Sequence, residues 1–319
     1  MRNVAFALCL LVLASVPQFP QSAPPRRTVA ITVDDLPYVR GSLPTHDESE
    51  VRRAAGITNR KLLSAFDAHH VPVTGFVIQQ SVESLGAVVG TGILKEWIAH
   101  HLDLGNHTYS HPDLNDLSPE QMEQDIVRGE SVIKPLMTAA GENLAFFRFP
   151  FNHTGETKPK HDEIAAFLKQ RGYSIATCTI DTSDYIFNDA YLRILANHDA
   201  ASAGRLREDY LAYTSTEIDY YSGLNRQVFG YEPPQVMLLH DNRLNGDVID
   251  EVLQLFEKKG YRFVSLDAAQ SDAAYQVPDT FITKFGQMWG YRWAKQRNIP
   301  VNGSLETEPP KWVTEYGRN

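Results

Sequence analysis

Residues 28–37 read Thr-Val-Ala-Ile-Thr-Val-Asp-Asp-Leu-Pro, an apolar and β-branched run that ends on two acidic residues. The first six residues predict a strand that is buried on both faces, because no polar residue alternates with the apolar ones. Asp34 and Asp35 follow where Leu36-Pro37 predicts a turn, and a turn would let both carboxylates approach one site. An ordinary Asp-rich turn before proline is the alternative interpretation.

Short apolar runs of the same kind recur along the chain, separated by longer segments with helical periodicity. Six further strands are predicted, at residues 71–78, 102–107, 144–151, 173–181, 235–240 and 261–266. Helices are predicted between them, at residues 49–69, 85–101, 118–140, 160–171, 188–221 and 247–259. Apolar strands that alternate with helices predict an α/β fold, in which crossover helices cover a parallel sheet.

Two histidines lie close together after the third predicted strand. Residues 105–112 read Gly-Asn-His-Thr-Tyr-Ser-His-Pro, so His107 and His111 are four residues apart. On a helical turn or in a tight loop, this spacing puts both imidazoles on one side of the chain. Such a pair can hold one divalent ion, and zinc is the expected one. A surface or capping pair is the alternative interpretation.

Chemically active side chains stand at the carboxyl ends of several predicted strands. In barrels and open α/β sheets, this is the edge where active sites are built. The sequence therefore predicts one site that collects residues from separate strands. These residues are Asp34 and Asp35, His107 and His111, Arg148 and Phe151, Asp181 and Asp184, and His240.

Composition limits the class of protein. The 319 residues are 43% hydrophobic and 22% charged, which is enough to bury the core of one large α/β domain or of two small ones. The formal net charge of −9 argues against nucleic acid as a partner, because proteins that bind it are usually basic.

The first 23 residues predict a secretory signal peptide. Arg2 supplies a positive charge, and residues 4–16 form an apolar run too short to span a bilayer. A buried N-terminal helix or a retained anchor is the alternative. Cleavage after Ala23 would leave Cys178 as the one cysteine, so an internal disulfide is not expected. We expect a secreted or periplasmic protein with no stable membrane insertion.

Residues 268–319 differ in character from the rest of the chain. They contain Trp289, Trp293 and Trp312 and several prolines. A C-terminal extension packed on the outside of the barrel is predicted, and a wall of the substrate groove is the alternative.

Five motifs, taken in order, resemble those of the NodB-homology polysaccharide deacetylases, carbohydrate esterase family 4. They are Thr32-Val33-Asp34-Asp35, His107-Thr-Tyr-Ser-His111, Arg148-Phe-Pro-Phe151, Asp181-Thr-Ser-Asp184-Tyr185 and Leu238-Leu239-His240. The resemblance implies a distorted (β/α) barrel of about seven parallel strands over residues 24–267. Three positions depart from the family pattern, with Leu36 in place of Gly, Phe151 in place of Tyr and Tyr185 in place of Trp.

The resemblance also implies a role for each motif residue. Asp35, His107 and His111 would hold one divalent metal ion, with zinc expected and cobalt as the alternative. Asp34 would be the general base, held by Arg148, and His240 the general acid, oriented by Asp184. The backbone N–H of Phe151 would stabilise an oxyanion, while Leu239 and Tyr185 would line the pocket for the acetyl methyl group.

The expected activity is that of a metal-dependent carbohydrate N-deacetylase. It would release acetate from N-acetylated amino sugars of an extracellular or cell-wall glycan, through water activated by the metal. Two alternatives stay open: a catalytically weak protein of the same fold that binds a glycan, and an O-acetyl esterase. The sequence identifies neither the glycan nor the oligomeric state.

Overall fold

The computed structural model describes residues 27–41 and 47–318. The predicted signal peptide, residues 1–23, lies outside these ranges. Within them the chain forms seven strands, and every strand pairing is parallel. The strands are β1 Arg27–Leu36, β2 Val73–Val77, β3 Asp103–Asn106, β4 Phe146–Phe147, β5 Ser174–Ile175, β6 Gln235–His240 and β7 Tyr261–Phe263.

Strand β1 pairs with three strands, β2, β6 and β7. The sheet order is β5-β4-β3-β2-β1-β6, and β7 pairs with the first residues of β1. The segment after β5 then crosses to β6. The backbone N–H groups of Thr179 and Ile180 donate to Val236 O, and Leu238 N donates to Ile180 O at 3.0 Å. These bonds close the curved sheet. The predicted distorted barrel of about seven parallel strands is therefore confirmed.

Helices connect the strands and cover the sheet. They are α1 Glu48–Ala68, α2 Gln79–Ser84, α3 Ala87–Ala99, α4 Pro119–Ala139, α5 Lys158–Gln170, α6 Asp184–Ala196, α7 Ala200–Phe229 and α8 Arg243–Lys258. Helix α4 begins with a capping box, in which Ser118 and Gln121 exchange hydrogen bonds between side chain and backbone.

One predicted helix is preceded by a short helix that was not predicted, and another is divided in two. The helix predicted at 85–101 is α3, preceded by the separate helix α2, because Gly86 lies between them at φ +86° and interrupts the helical backbone. The region predicted at 188–221 is α6 and α7. His198, at φ +52°, stands in the break between these two helices.

The last part of the described chain packs against the rest. It contains α9 Leu266–Gln270, α10 Trp289–Gln296 and α11 Lys311–Glu315. Trp293 is buried, with its ring 5.0 Å from that of Phe229 at the end of α7. The indole N–H of Trp312 donates to Asp209 at 2.8 Å. The domain boundary at residue 267 stays a prediction.

Among the residues that the structure describes, no helix is both long and apolar enough to cross a bilayer.

Candidate active site

The two adjacent carboxylates of β1 meet at one site because the strand is irregular there. Val33 pairs with Gly75 and Leu36 with Val77, so β1 has one residue more than β2 over this interval. Asp35 takes a left-handed backbone, with φ +65°. The sequence analysis expected a turn at Leu36-Pro37 to bring the carboxylates together, but the turn begins only at Pro37, after the irregularity. The strand continues through Leu36, and the bulge within it reorients the Asp35 side chain.

Asp35, His107 and His111 form a cluster that fits a metal ion. Their ligand atoms lie within 4.8 Å of one another, and Asp35 Oδ1 is 3.5 Å from Nε2 of each histidine. Two ligand atoms around a tetrahedral zinc ion, each about 2.1 Å from it, lie roughly 3.4 Å apart. Asp35 Oδ1 is buried and has no hydrogen-bond partner among the described residues. The spacing and the unpaired oxygen both suit a cation at this position.

His107 is oriented by a hydrogen bond from its other ring nitrogen. Its Nδ1 is 2.8 Å from Arg148 O, and a carbonyl accepts only from a protonated nitrogen, so the lone pair lies on Nε2, toward Asp35. Burial, followed by the charge of His111, lowers the pKa of His107 to about 3. The imidazole is therefore neutral at pH 7, as a metal ligand must be.

Asp34 is held by a buried arginine on the other side of the cluster. Arg148 Nη1 donates to Asp34 Oδ1 at 2.7 Å, and the Arg148 side chain is fully buried. The guanidinium also donates to Thr32 Oγ1 at 2.7 Å and to Thr177 O at 3.3 Å. The second oxygen, Asp34 Oδ2, lies 3.8 Å from His107 Nε2. One oxygen of Asp34 is thus fixed by the arginine, and the other faces the cluster.

His240 is bound to a fully buried carboxylate. Its Nδ1 lies 2.7 Å from Asp184 Oδ1, and its backbone N–H donates to Asp184 Oδ2 at 2.9 Å. Burial alone would lower the pKa of His240. The charge of Asp184 and the hydrogen bond to it, helped by Asp35 and Asp34, outweigh burial and raise the pKa to about 10. His240 is therefore an imidazolium at pH 7.

A single cavity of about 560 Å³ brings most of the predicted residues together. Leu239, which was predicted to line it, is fully buried elsewhere, and Leu238 lines the cavity instead. Alternate residues of a strand face opposite sides, so Leu238 shares the face of His240 and Leu239 does not. Of the predicted site residues, the cavity is lined by Asp34, Asp35, His107, His111, Phe151, Asp181, Tyr185 and His240; Arg148 and Asp184 lie behind it.

Several residues of the site were not predicted from the sequence. Asn242 and Asn245 donate side-chain N–H groups to Asp184 Oδ2 and so hold the partner of His240. Both asparagines follow His240 closely in the sequence, and this proximity was the one sequence feature that could have indicated them. Gly286 and Met288, from the C-terminal part of the chain, also line the cavity. No local pattern indicated them.

Left-handed backbone is concentrated at the site. His111 and Phe151 both have φ +56°, in addition to Asp35. For residues other than glycine this conformation costs on the order of 1–2 kcal/mol each, so the surrounding contacts must impose it.

The comparisons with known proteins agree with the predicted family. Residues 21–176 match the family model described as polysaccharide deacetylase. The peptidoglycan-N-acetylglucosamine deacetylase of Bacillus cereus is 23% identical over 211 residues, which cover 65% of this chain and 61% of that protein. The chitooligosaccharide deacetylase of Rhizobium leguminosarum bv. phaseoli is 31% identical over 91 residues, 28% of this chain and 37% of that protein. The chain thus aligns with less than two thirds of either relative.

Solved structures share the fold. A peptidoglycan N-acetylglucosamine deacetylase matches with a TM-score of 0.52 and 21% identity, over 77% of this chain and 88% of that one. A mutant of a CE4 family pseudoenzyme from Bacillus anthracis, with restored enzymatic activity, matches with a TM-score of 0.51 and 16% identity, over 77% and 68%. At these identities the likeness concerns the fold alone. The matched family model and the relatives thus show that residues 21–176, just under half of the chain, are similar to the polysaccharide deacetylases, the family that the five motifs resemble.

Proposed function

We propose that this protein is an exported, metal-dependent hydrolase that removes acetyl groups from N-acetylated amino sugars of an extracellular or cell-wall glycan. One observation carries the proposal. A carboxylate fixed by an arginine, Asp34, and an imidazolium fixed by a carboxylate, His240, line the same cavity as the three candidate metal ligands. A protein that only binds a glycan would not need an oriented base and an oriented acid.

Asp35, His107 and His111 are the residues that would hold the ion, with zinc expected and cobalt as the alternative. When bound, a divalent ion supplies Lewis acidity, which acidifies water and polarises a carbonyl group. Because Arg148 occupies Asp34 Oδ1, the other oxygen of Asp34 is the one positioned to take a proton from the attacking water. The carbonyl carbon of the acetamide gains the hydroxyl, and its oxygen becomes an oxyanion.

His240 completes the reaction by donating a proton to the nitrogen that leaves. Its Nδ1 is bound to Asp184, so the proton comes from Nε2. The carbon–nitrogen bond then breaks, which releases acetate and a free amino group on the sugar. The backbone N–H of Phe151 is proposed as a donor to the oxyanion, and removal of such a donor costs about 2.7–4 kcal/mol. Tyr185 and Leu238, at the cavity wall, are proposed to surround the acetyl methyl group.

The test is an acetate-release assay over defined N- and O-acetylated glycans, with metal content measured on the same sample. The Asp34→Asn variant should lose acetate release by about 10²–10⁴-fold and keep its metal, because the base is removed while the ligands stay. Asp181→Asn is the matched control, since Asp181 lines the same cavity and accepts a hydrogen bond from the backbone N–H of Ser183, and no role in the proposed reaction is assigned to it. Near-normal turnover by Asp34→Asn would contradict the assignment of the base, and faster release from O-acetyl glycans would favour an esterase.

Export and domain organisation form a separate part of the proposal. We propose that residues 1–23 are removed as a signal peptide, that residues 24–267 form the catalytic barrel and that 268–319 extend it. N-terminal sequencing of protein recovered from the medium or the periplasm tests the first point. A mature protein that still begins at Met1 would contradict it.

A further inference from the structure

The loop of residues 107–111, which carries both candidate histidine ligands, packs against helix α4. Two of its residues, Thr108 and His111, take a left-handed backbone, with φ +72° and +56°. Such a conformation persists only where neighbouring contacts impose it. A β-carbon built on Gly129 of α4 would lie 2.8 Å from Thr108 C and 2.9 Å from Thr108 O. Glycine at this position therefore lets the helix approach the backbone of the loop directly.

Asp125 of α4 holds this loop through three hydrogen bonds to its carboxylate. Asp125 Oδ1 accepts from the backbone N–H groups of Tyr109 and Ser110, both at 2.9 Å. Asp125 Oδ2 accepts from the Ser110 hydroxyl at 2.9 Å. The carbonyl oxygen of Asp125 also accepts from Tyr109 N, at 3.1 Å. One side chain of α4 thus binds the two residues that directly precede His111.

A second helix, α2, holds the carbonyl groups of the same loop. The backbone N–H groups of Gln79 and Gln80 donate to Thr108 O at 3.2 Å and to Tyr109 O at 2.8 Å, respectively. The Tyr109 hydroxyl donates to Glu83 Oε2 at 3.0 Å. The loop is therefore held between two helices, and without the bonds from α4 it would depend on α2 alone.

The two histidines differ in how their rings are fixed. The Nδ1 of His107 is bound to Arg148 O. In the described part of the chain no comparable bond holds the ring of His111, whose backbone N–H donates to Thr108 Oγ1 at 3.0 Å. The His111 ring lies edge-on to those of His107 and Phe151, with centroids 4.8 and 4.7 Å away. The place of the His111 ring therefore depends on the backbone of the loop.

We propose that Asp125 is a positioning residue, whose carboxylate sets the place of His111 in the cluster and thereby the affinity of the cluster for a divalent ion. The inference rests on the metal site of the proposed function. Partners that orient metal ligands typically contribute about 10–100-fold to metal affinity. Asp125 lies outside the five motifs and does not line the cavity, so it acts through the loop rather than on the ion.

Two variants separate an effect of position from an effect of charge. Asp125→Asn removes the charge but keeps an oxygen that can accept from the two backbone N–H groups. Asp125→Glu keeps the charge but moves the carboxylate by one methylene group. If Asp125 acts by position, the Asn variant should bind metal nearly as tightly as the wild type, and the Glu variant should bind it more weakly. An attraction between the carboxylate and the ion would give the reverse order.

The experiment is a titration of metal-free protein with Zn²⁺ in competition with a chromophoric chelator, at pH 7 and without glycan. Asp125→Ala should raise the Kd for Zn²⁺ about 10–100-fold, Asp125→Glu should raise it at least about fivefold, and Asp125→Asn should keep it within about threefold of the wild type. Glu123→Ala is the matched control on α4. Residues two apart on a helix do not face the same way, so the loss of this acidic side chain should leave the Kd unchanged.

The possible outcomes separate this inference from the proposed reaction. An unchanged Kd in Asp125→Ala would overturn the inference, and so would tight binding by Asp125→Glu together with weak binding by Asp125→Asn. If circular dichroism shows that Asp125→Ala does not fold, the comparison of the other two variants decides alone. Wild-type protein that binds no Zn²⁺ would overturn both the inference and the proposed metal dependence. Zn²⁺ binding that depends on Asp125 as expected, without acetate release from any glycan, would support the positioning role and refute the proposed reaction.

Discussion

Replacing Asp184 with Asn should convert His240 from an imidazolium into a neutral imidazole at pH 7. In the wild type the pKa of His240 is raised from 6.5 to about 10, and Asp184 supplies the largest favourable contribution, through its charge and its hydrogen bond. A rise of this size corresponds to about 5 kcal/mol in favour of the charged form. In Asp184→Asn this charge is gone, whereas burial, the largest single effect and one that lowers the pKa, remains and is opposed chiefly by the smaller effects of Asp35 and Asp34. The pKa of His240 should therefore fall below 6.5.

Two measurements follow from the change in pKa. An NMR titration of the imidazole signals should show His240 titrating near pH 10 in the wild type and below 6.5 in Asp184→Asn. Acetate release by the variant should drop by about 10²–10⁴-fold at neutral pH, because His240, the proposed general acid, has lost its proton. As the pH rises toward 10, acetate release by the variant should decline further. In the wild type, His240 keeps its proton over the same range. Asp181→Asn, in the same loop, is the control and should leave the titration near 10.

The pH dependence of the free energy of unfolding should follow the titration of His240. A group whose pKa is raised by folding contributes stability that is fully present below its unfolded value, here about 6.5, and is lost as the pH rises through about 10. The difference in free energy of unfolding between wild type and Asp184→Asn should therefore be largest below pH 6.5 and shrink toward pH 10. If His240 still titrates near 10 in the variant, Asp184 is not the residue that keeps it charged.

Four further outcomes are expected. Arg148→Met should lower the free energy of unfolding by about 3–5 kcal/mol in urea denaturation, since it leaves Asp34 buried without its partner, and an unchanged midpoint would refute this. His111→Ala should abolish metal binding by elemental analysis yet leave the circular dichroism spectrum intact, because this ligand is partly exposed; a full equivalent of bound metal would contradict the cluster. Chelation should stop acetate release and zinc or cobalt should restore it, whereas full activity without metal would disprove a metal-dependent reaction. Folded protein should leave Cys178 unreacted with a thiol reagent at pH 8, because burial raises its pKa to about 12; rapid labelling would show that the site opens.

The fold was predictable because its strands are buried on both faces and therefore read as apolar runs. All seven strands lie within or close to their predicted ranges, but β4 and β5 are only two residues long where eight and nine were expected. The chain leaves the regular sheet at these points. After β5 it crosses to β6, and after β4 it turns to carry Arg148 and Phe151 into the site. Irregular backbone of this kind has no periodic signature.

The candidate site was only partly predictable, for a similar reason. Side chains at the carboxyl ends of parallel strands share one edge of the sheet, which is why Asp35, His107 and His111 could be expected to converge. The choice between Leu238 and Leu239 also follows from strand alternation with His240, although the family pattern led to the wrong one. The position of Gly286 at the cavity could not be foreseen, because it depends on how a distant segment docks on the finished barrel.

The left-handed backbone at Asp35, His111 and Phe151 lowers the stability of the folded protein at the positions where the candidate site is built. Glycine would relieve the backbone cost at each position, yet glycine in place of Asp35 or His111 would delete a candidate ligand. Laboratory evolution for heat resistance alone would thus favour glycine at positions where catalysis forbids it. Libraries built to make this protein more stable should hold the Asp35 and His111 codons fixed and vary the helices instead.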